Sequence, residues 1–168
     1  NIQTHGDVRH AYEMTEETQE IYRRFCDLHE AMLPYIQKYS KVACDTGMPI
    51  VRHMALQYQD DANVYGLETQ YMFGEALLVA PVFTASTSTK NVYLPEGNWI
   101  NLLTGEEIAV SAGGKTVAVS LPLGQIAVFL DADCSIEDEN LLAPAFNSEN
   151  WTKISGVQLH LQTATEAN

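Results

Sequence analysis

No apolar run in this chain approaches the roughly 18 to 20 residues needed to span a bilayer. The opening residues Asn1-Ile2-Gln3-Thr4-His5 hold neither the basic patch nor the apolar stretch of a signal peptide. No membrane partner is expected. Cations are scarce as well: 9 Lys and Arg stand against 22 Asp and Glu, a formal net charge of −13. Tracking phosphates requires a cation at each contact, so nucleic acid and anionic lipid surfaces are excluded as partners. The three cysteines, Cys26, Cys44 and Cys134, are an odd number without Cys-x-x-Cys spacing, which excludes a zinc ribbon or a disulfide framework. Reduced, unpaired thiols are expected, and these fit a cytoplasmic protein. There is no initiator Met, and the chain reads as a cut piece or a processed product. A Gly-x-Ser-x-Gly nucleophile turn is missing, as is any phosphate-binding glycine loop. Gly113-Gly114 lies between two predicted strands and reads as a hairpin turn.

What is present is 168 residues with 46% hydrophobic content, enough for one domain, or one domain and a piece of another. Charge divides the chain: residues 1–52 carry six basic and eight acidic side chains, residues 53–168 three and fourteen. The pattern divides it in the same way. From Thr15 to about Ser40, Ile21, Tyr22, Phe25, Leu28, Met32, Leu33, Tyr35, Ile36 and Tyr39 recur at threes and fours, a helical stripe. Thr15 is the expected N-cap, with Glu16 and Glu17 at the positive end of the helix dipole. Pro34 lacks an interior N–H, so a break is expected near Ala31 to Leu33. Thr46-Gly47 stops the helix and Met48 to Arg52 reads as a short strand. Leu67 to Phe73 reads as a short helix ending at Gly74. Beyond it come strands at Ala76 to Val82, Lys90 to Leu94, Trp99 to Leu102, Lys115 to Leu121 and Gln125 to Leu130. Short strands separated by turn signals predict a β-sandwich. Asp131 to Asn140 reads as acidic and exposed, and Val157, Leu159 and Leu161 as a last half-buried strand.

The residues that could carry chemistry are few. His5, His10, His29, His53 and His160 are scattered singly, and neither a metal nor a cofactor is expected. Asp60-Asp61 is a carboxylate pair in a turn-like stretch, where aspartates mostly bond their own backbone. Tyr93 and Trp99 could stack on a sugar, although strand aromatics more often belong to the core. Asn150-Trp151-Thr152 matches a glycosylation sequon, which matters only for a secreted chain.

The segments are more specific in order than one by one. Thr4-His5-Gly6 precedes the acidic-start helix, which contains Leu33-Pro34-Tyr35. Thr46-Gly47-Met48-Pro49-Ile50-Val51-Arg52 and Tyr58-Gln59-Asp60-Asp61 follow, then Gln70-Tyr71-Met72-Phe73-Gly74 and Leu77-Leu78-Val79-Ala80-Pro81-Val82. Tyr93-Leu94-Pro95-Glu96-Gly97-Asn98-Trp99 and Leu102-Leu103-Thr104-Gly105 complete the series. Across about residues 4 to 133 this resembles the C-terminal third of glycoside hydrolase family 31, the α-glucosidase and α-xylosidase family. Tyr58 to Ala62 and Leu123 to Phe129 are most similar to its sulfoquinovosidases, with an ordinary α-glucosidase-like member as the competing reading.

The resemblance implies an α+β chain: the last portion of a (β/α)8 barrel, then an antiparallel β-sandwich. Residues 1–75 would be the barrel segment, with the long helix and Met48 to Arg52 as its final strand. Residues 76–133 would be the proximal sandwich, and 134–168 an acidic linker and C-terminal strand or tail. His5 matches the family's substrate-binding histidine. Both catalytic aspartates of this retaining family lie upstream of the His-Gly motif, and Asp7 matches neither, so no catalytic residue is expected in this chain. The tryptophan that many members carry just after that motif is replaced by Arg9-His10-Ala11-Tyr12. The implied partners are the upstream portion of the same enzyme and a carbohydrate substrate, and the isolated chain would be inactive. The helical stripe should then need a packing partner, whether the upstream enzyme, a second copy in a homo-oligomer or a rearranged neighbour. The other reading is a non-catalytic β-sandwich module for sugar binding or support, which requires Tyr93 and Trp99 to be exposed.

Overall fold

A computed structural model describes residues 10–161. Its helical part begins at α1 (Glu16–Ala31), capped by the Thr15 hydroxyl accepting from the Thr18 N–H at 3.3 Å. Met32 ends α1 and opens α2 (Leu33–Thr46), with Pro34 in its first turn, where the missing N–H costs nothing. The break therefore falls where the proline predicts it. Gly47, at φ 81°, closes α2 in the left-handed conformation that glycine adopts without strain.

Eight strands follow among the described residues: β1 (Val51–Arg52), β2 (Tyr71–Phe73), β3 (Leu77–Ala80), β4 (Thr89–Leu94), β5 (Gly97–Asn101), β6 (Glu107–Val110), β7 (Lys115–Ser120) and β8 (Ala127–Asp131). Six form one sheet in the order β1-β2-β3-β8-β5-β6, while β4 and β7 pair as a separate ribbon. Every pairing among the described residues is antiparallel. The β half is thus a mostly antiparallel, sandwich-like domain with few helices. Its central strands β3 and β8 are buried on both faces, which explains their unbroken apolar runs. By alternation, Leu77, Val79 and Val128 face the helices, while Met72, Leu78, Phe129 and Trp99 lie on the other face. Val92, Leu94 and Val119 of the ribbon join the same core. The Gln70 amide links ribbon to sheet, its Nε2 donating to Tyr93 O at 2.7 Å and its Oε1 accepting from Tyr93 N at 2.9 Å.

The helical stripe packs on this chain's own sheet. Tyr35 and Tyr39 are fully buried, and Leu28 and Met32 nearly so. Burial pushes the Tyr35 phenol pKa up, so its neutral hydroxyl both donates to Phe73 O at 2.8 Å and accepts from the Ala76 N–H at 3.2 Å. The stripe's partner is therefore a rearranged neighbour within the chain.

Three expectations are corrected. Leu67 to Phe73 is not a helix: Tyr71 to Phe73 pair with β3 in a tight hairpin, and strand pairing outweighs local propensity in so short a segment. Of the expected linker and strand at 134–168, the described residues to 161 are neither. They form α3 (Ile136–Phe146) and α4 (Glu149–Ser155), capped by Ser135 and Ser148. The acidic run Glu137-Asp138-Glu139 is the first turn of α3, where carboxylates stabilise a helix, and Pro144 is tolerated inside it. Nor is Asp138 exposed: it is 2% accessible and accepts from Lys38 Nζ, Tyr39 Oη and Ser135 Oγ, each at 2.9 Å. Leu159 and Leu161 are buried as the alternation implies, but without a strand; the Asn147 side chain bonds both the N–H and the C=O of Leu161.

Gly74 has φ +64°, and a Cβ there would lie 2.2 Å from Tyr35 Oη. Gly74→Ala should cost about 2–5 kcal/mol from backbone strain plus overpacking. Urea unfolding of the chain measures it, and a loss within experimental error of zero would remove Gly74 from this role.

Candidate functional site

Three concavities stand out among the described residues. The first, about 420 Å³, lies between α1 and the sheet and is lined chiefly by apolar side chains, including Tyr22, Phe25, Met32, Val79, Ile126 and Phe146. The second, about 560 Å³, is a polar cleft between the 57–63 loop and the turns at Pro95-Glu96 and Gly113. The third, about 430 Å³, is lined by Arg52, Glu75, Asp131, Asp133, Cys134 and Asp138.

Asp60-Asp61 lines the polar cleft, but its two carboxylates have separate roles. Asp61 caps a short 3-10 turn (Ala62–Val64), accepting from Asn63 N and Asn63 Nδ2 at 2.9 Å and from Tyr93 Oη at 2.6 Å. The Tyr93 hydrogen bond holds its carboxyl below the usual range, while burial and the adjacent Asp61 push the Tyr93 phenol up. Asp60 stays exposed. The pair is a loop clasp, without the shared environment that would set an acid against a base. Tyr93 is committed to that clasp and also contacts Gly113 O at 3.1 Å. Trp99 is 1% exposed and donates its Nε1–H to Pro95 O at 3.0 Å. Trp99 is therefore withdrawn from stacking on a sugar, which counts against the sugar-binding module, while Tyr93 is half-buried.

The remaining candidates stay apart. His5 lies outside the described residues. His10, His29, His53 and His160 are exposed, and His53 Nδ1 is occupied by the Ala55 N–H at 3.1 Å. Among the described residues no three His, Cys, Asp or Glu side chains converge to hold a metal ion. The cysteines are unpaired, and Cys134 is pushed up to about 12 by burial and the nearby Asp131, Asp138 and Glu139. Asn150 lies on α4 and its amide nitrogen donates to Arg24 O at 2.7 Å, so this side chain is engaged in joining α4 to α1. Arg52, which the sequence did not single out, lines the third concavity. Its guanidinium is 3% exposed, donates to Pro49 O at 3.0 Å and lies 5.6 Å from the Tyr39 ring centroid. Its burial runs against polarity, since the strand exposes Val51 and buries Arg52, so the sequence carried no signal for it.

Among the described residues, the order of segments and the antiparallel pairing define a sandwich-like β domain. Residues 47–134 match the glycosyl hydrolase family 31 C-terminal domain, and the chain belongs to that family. It is 40% identical over 109 residues to the isomaltosyltransferase of Sporosarcina globispora, a match covering 65% of this chain and 10% of that protein. It is 36% identical over 115 residues to the sulfoquinovosidase of Agrobacterium fabrum, covering 68% of this chain and 17% of that one. A solved family 31 sulfoquinovosidase from E. rectale superposes with a TM-score of 0.72 at 29% identity, covering 82% of this chain and 20% of its own. The chain thus spans between a tenth and a fifth of these relatives.

Because the folded-state pKa of Asp61 is depressed, its charge stabilises above the unfolded value, and this is lost as pH falls through the folded value. The stability difference between wild type and Asp61→Ala should therefore shrink between about pH 7 and about pH 3. Urea melts of both proteins across that range check it; a constant difference would show that the clasp does not depend on the charge.

Proposed function

We propose that this chain is the C-terminal part of a retaining α-glycosidase acting on α-linked glucoside- or sulfoquinovoside-like sugars, with both catalytic aspartates supplied by the preceding barrel. The observation that carries this reading is the family 31 C-terminal domain across residues 47–134 in a chain covering 10% to 20% of its relatives. The expected barrel segment is shortened to the residues before 47: Val51–Arg52 pairs antiparallel with β2 inside the matched C-terminal domain, and the helices that precede it are assigned to the end of that barrel. His5 donates a hydrogen bond to a sugar hydroxyl beside the scissile bond. One aspartate displaces the leaving group to form a glycosyl-enzyme while the other protonates the departing oxygen. Water, deprotonated by that second residue, then releases the sugar. A sugar hydroxyl in place of water gives transfer, a second outcome favoured by the similarity to an isomaltosyltransferase. The free thiols support a reducing, cytoplasmic setting.

The 168-residue chain should not turn over para-nitrophenyl α-glycosides, whereas the chain joined to its preceding sequence should. In the joined enzyme His5→Ala should lower kcat/KM by about 10- to 100-fold, the scale of one strengthened hydrogen bond. Unchanged turnover would take His5 out of the site.

A further inference from the structure

The concavity of about 430 Å³ is lined by a buried cation whose hydrogen-bonding capacity is only partly met. Arg52 is 3% exposed; its Nε donates to Pro49 O, and its Nη1 reaches Gln57 Oε1 at 3.5 Å. Its Nη2 is buried with no acceptor among the described residues. A buried charged donor left unpaired is costlier than a neutral one, so an acceptor at this place would stabilise it. Glu75 is a poor candidate: its carboxylate lies 3.6 Å from Nη1, too far for a hydrogen bond, and is 59% exposed. That side chain can turn aside without losing a bond and open the guanidinium to the concavity. The rest of the wall offers acceptors. Asp131 accepts the Asp133 N–H at 2.9 Å, and burial together with the neighbouring Asp133 pushes its carboxyl up, so a further donor would relieve it. Asp133 Oδ2 is held by Asn98 Nδ2 at 3.0 Å, which fixes the carboxylate at the rim.

We infer that this concavity binds a neutral polyhydroxylated ring, a hexose unit whose hydroxyls accept from Arg52 and donate to Asp131 and Asp133. Charge selects this occupant. An anion would satisfy Arg52 but would face four carboxylates, Glu75, Asp131, Asp133 and Asp138, of which Asp138 alone has a lysine against it, Lys38 at 2.9 Å. A metal ion would face the guanidinium, and among the described residues no three His, Cys, Asp or Glu side chains converge to hold one. A hydroxyl carries donor and acceptor on one atom, so adjacent hydroxyls bridge a guanidinium and a carboxylate without adding charge. The volume lies within the roughly 300–1,000 Å³ of small-molecule sites. The lining contains no aromatic ring, so recognition here is by hydrogen bonds rather than by stacking.

The test is an NMR titration of the isotope-labelled 168-residue chain with methyl α-glucopyranoside, read from backbone amides and the Arg52 Nε–H. The resonances of Arg52, Asp131 and Asp133 should move together and saturate in the millimolar range. Asp131→Asn should weaken binding about tenfold, the scale of one hydrogen bond to a charged group. Asp133→Ala should do the same, and Asp133 is exposed, so this variant keeps the fold. Asp60→Ala, in the polar cleft beside the 57–63 loop, should leave binding unchanged. α-Glucosyl phosphate and glucosamine, charged at neutral pH, should bind more weakly than the neutral glycoside. Shifts that never saturate would overturn the inference and leave a single buried water as the acceptor for Nη2. Tighter binding of the glucosyl phosphate would overturn it in favour of an anion site, and binding lost in Asp60→Ala but kept in Asp133→Ala would overturn it in favour of the polar cleft. The readout needs no turnover: its failure leaves the proposed reaction standing, and an inactive joined enzyme leaves this site standing.

Discussion

The contact between the Tyr35 hydroxyl and the backbone of the β2–β3 hairpin sets how helix and sheet meet. One neutral phenol satisfies a carbonyl on one side of the turn and an N–H on the other, and the absence of a side chain at Gly74 lets the ring come that close. With Tyr35 fixed, α2 presents Tyr39 and Lys38 to Asp138, and Arg52 is left over the Tyr39 ring. A buried carboxylate with three side-chain donors tolerates desolvation that an unpaired one would not. The α2 helix, the hairpin and the first turn of α3 thus form one polar and aromatic unit beneath the apolar core.

The C-terminal helices complete that unit from outside the matched domain, which ends at residue 134. Trp151 packs edge-on against Phe146, with centroids 4.9 Å apart, and donates to Leu102 O at 2.8 Å, so α4 reaches both α3 and the loop after β5. Arg24 and Asn150 then join α4 to α1 through main-chain carbonyls. The approach of α1 to the sheet is looser than that of α2, and the apolar cavity lies beneath it.

The sequence was most legible where a single local signal decided the outcome. Thr15, Pro34 and Gly47 fixed the helix ends, and the β3 and β8 runs fixed the central strands. It misled where tertiary pairing decided. Tyr71-Met72-Phe73 is too short to declare a period, and Glu137-Asp138-Glu139 looks like solvated charge until Lys38 and Tyr39, a hundred residues earlier in the chain, are placed against it. The strand Glu107 to Val110 went unread because its alternation is only four residues long. For the site, Asp61 was legible as a turn aspartate, but its bond to Tyr93 joins residues that only the fold brings together. The family itself was legible through motif order.

Gln70 shows how a fold can restrict what evolution may write at one position. Its carboxamide acts as a detached peptide group, supplying the donor and the acceptor that a neighbouring strand would otherwise provide to Tyr93. Glutamate keeps the shape but loses the donor, methionine keeps the volume but loses both, and asparagine keeps the chemistry but loses a methylene of reach. The genetic code offers no close synonym for this side chain here, so variation in the join between ribbon and sheet must come from the residues around it.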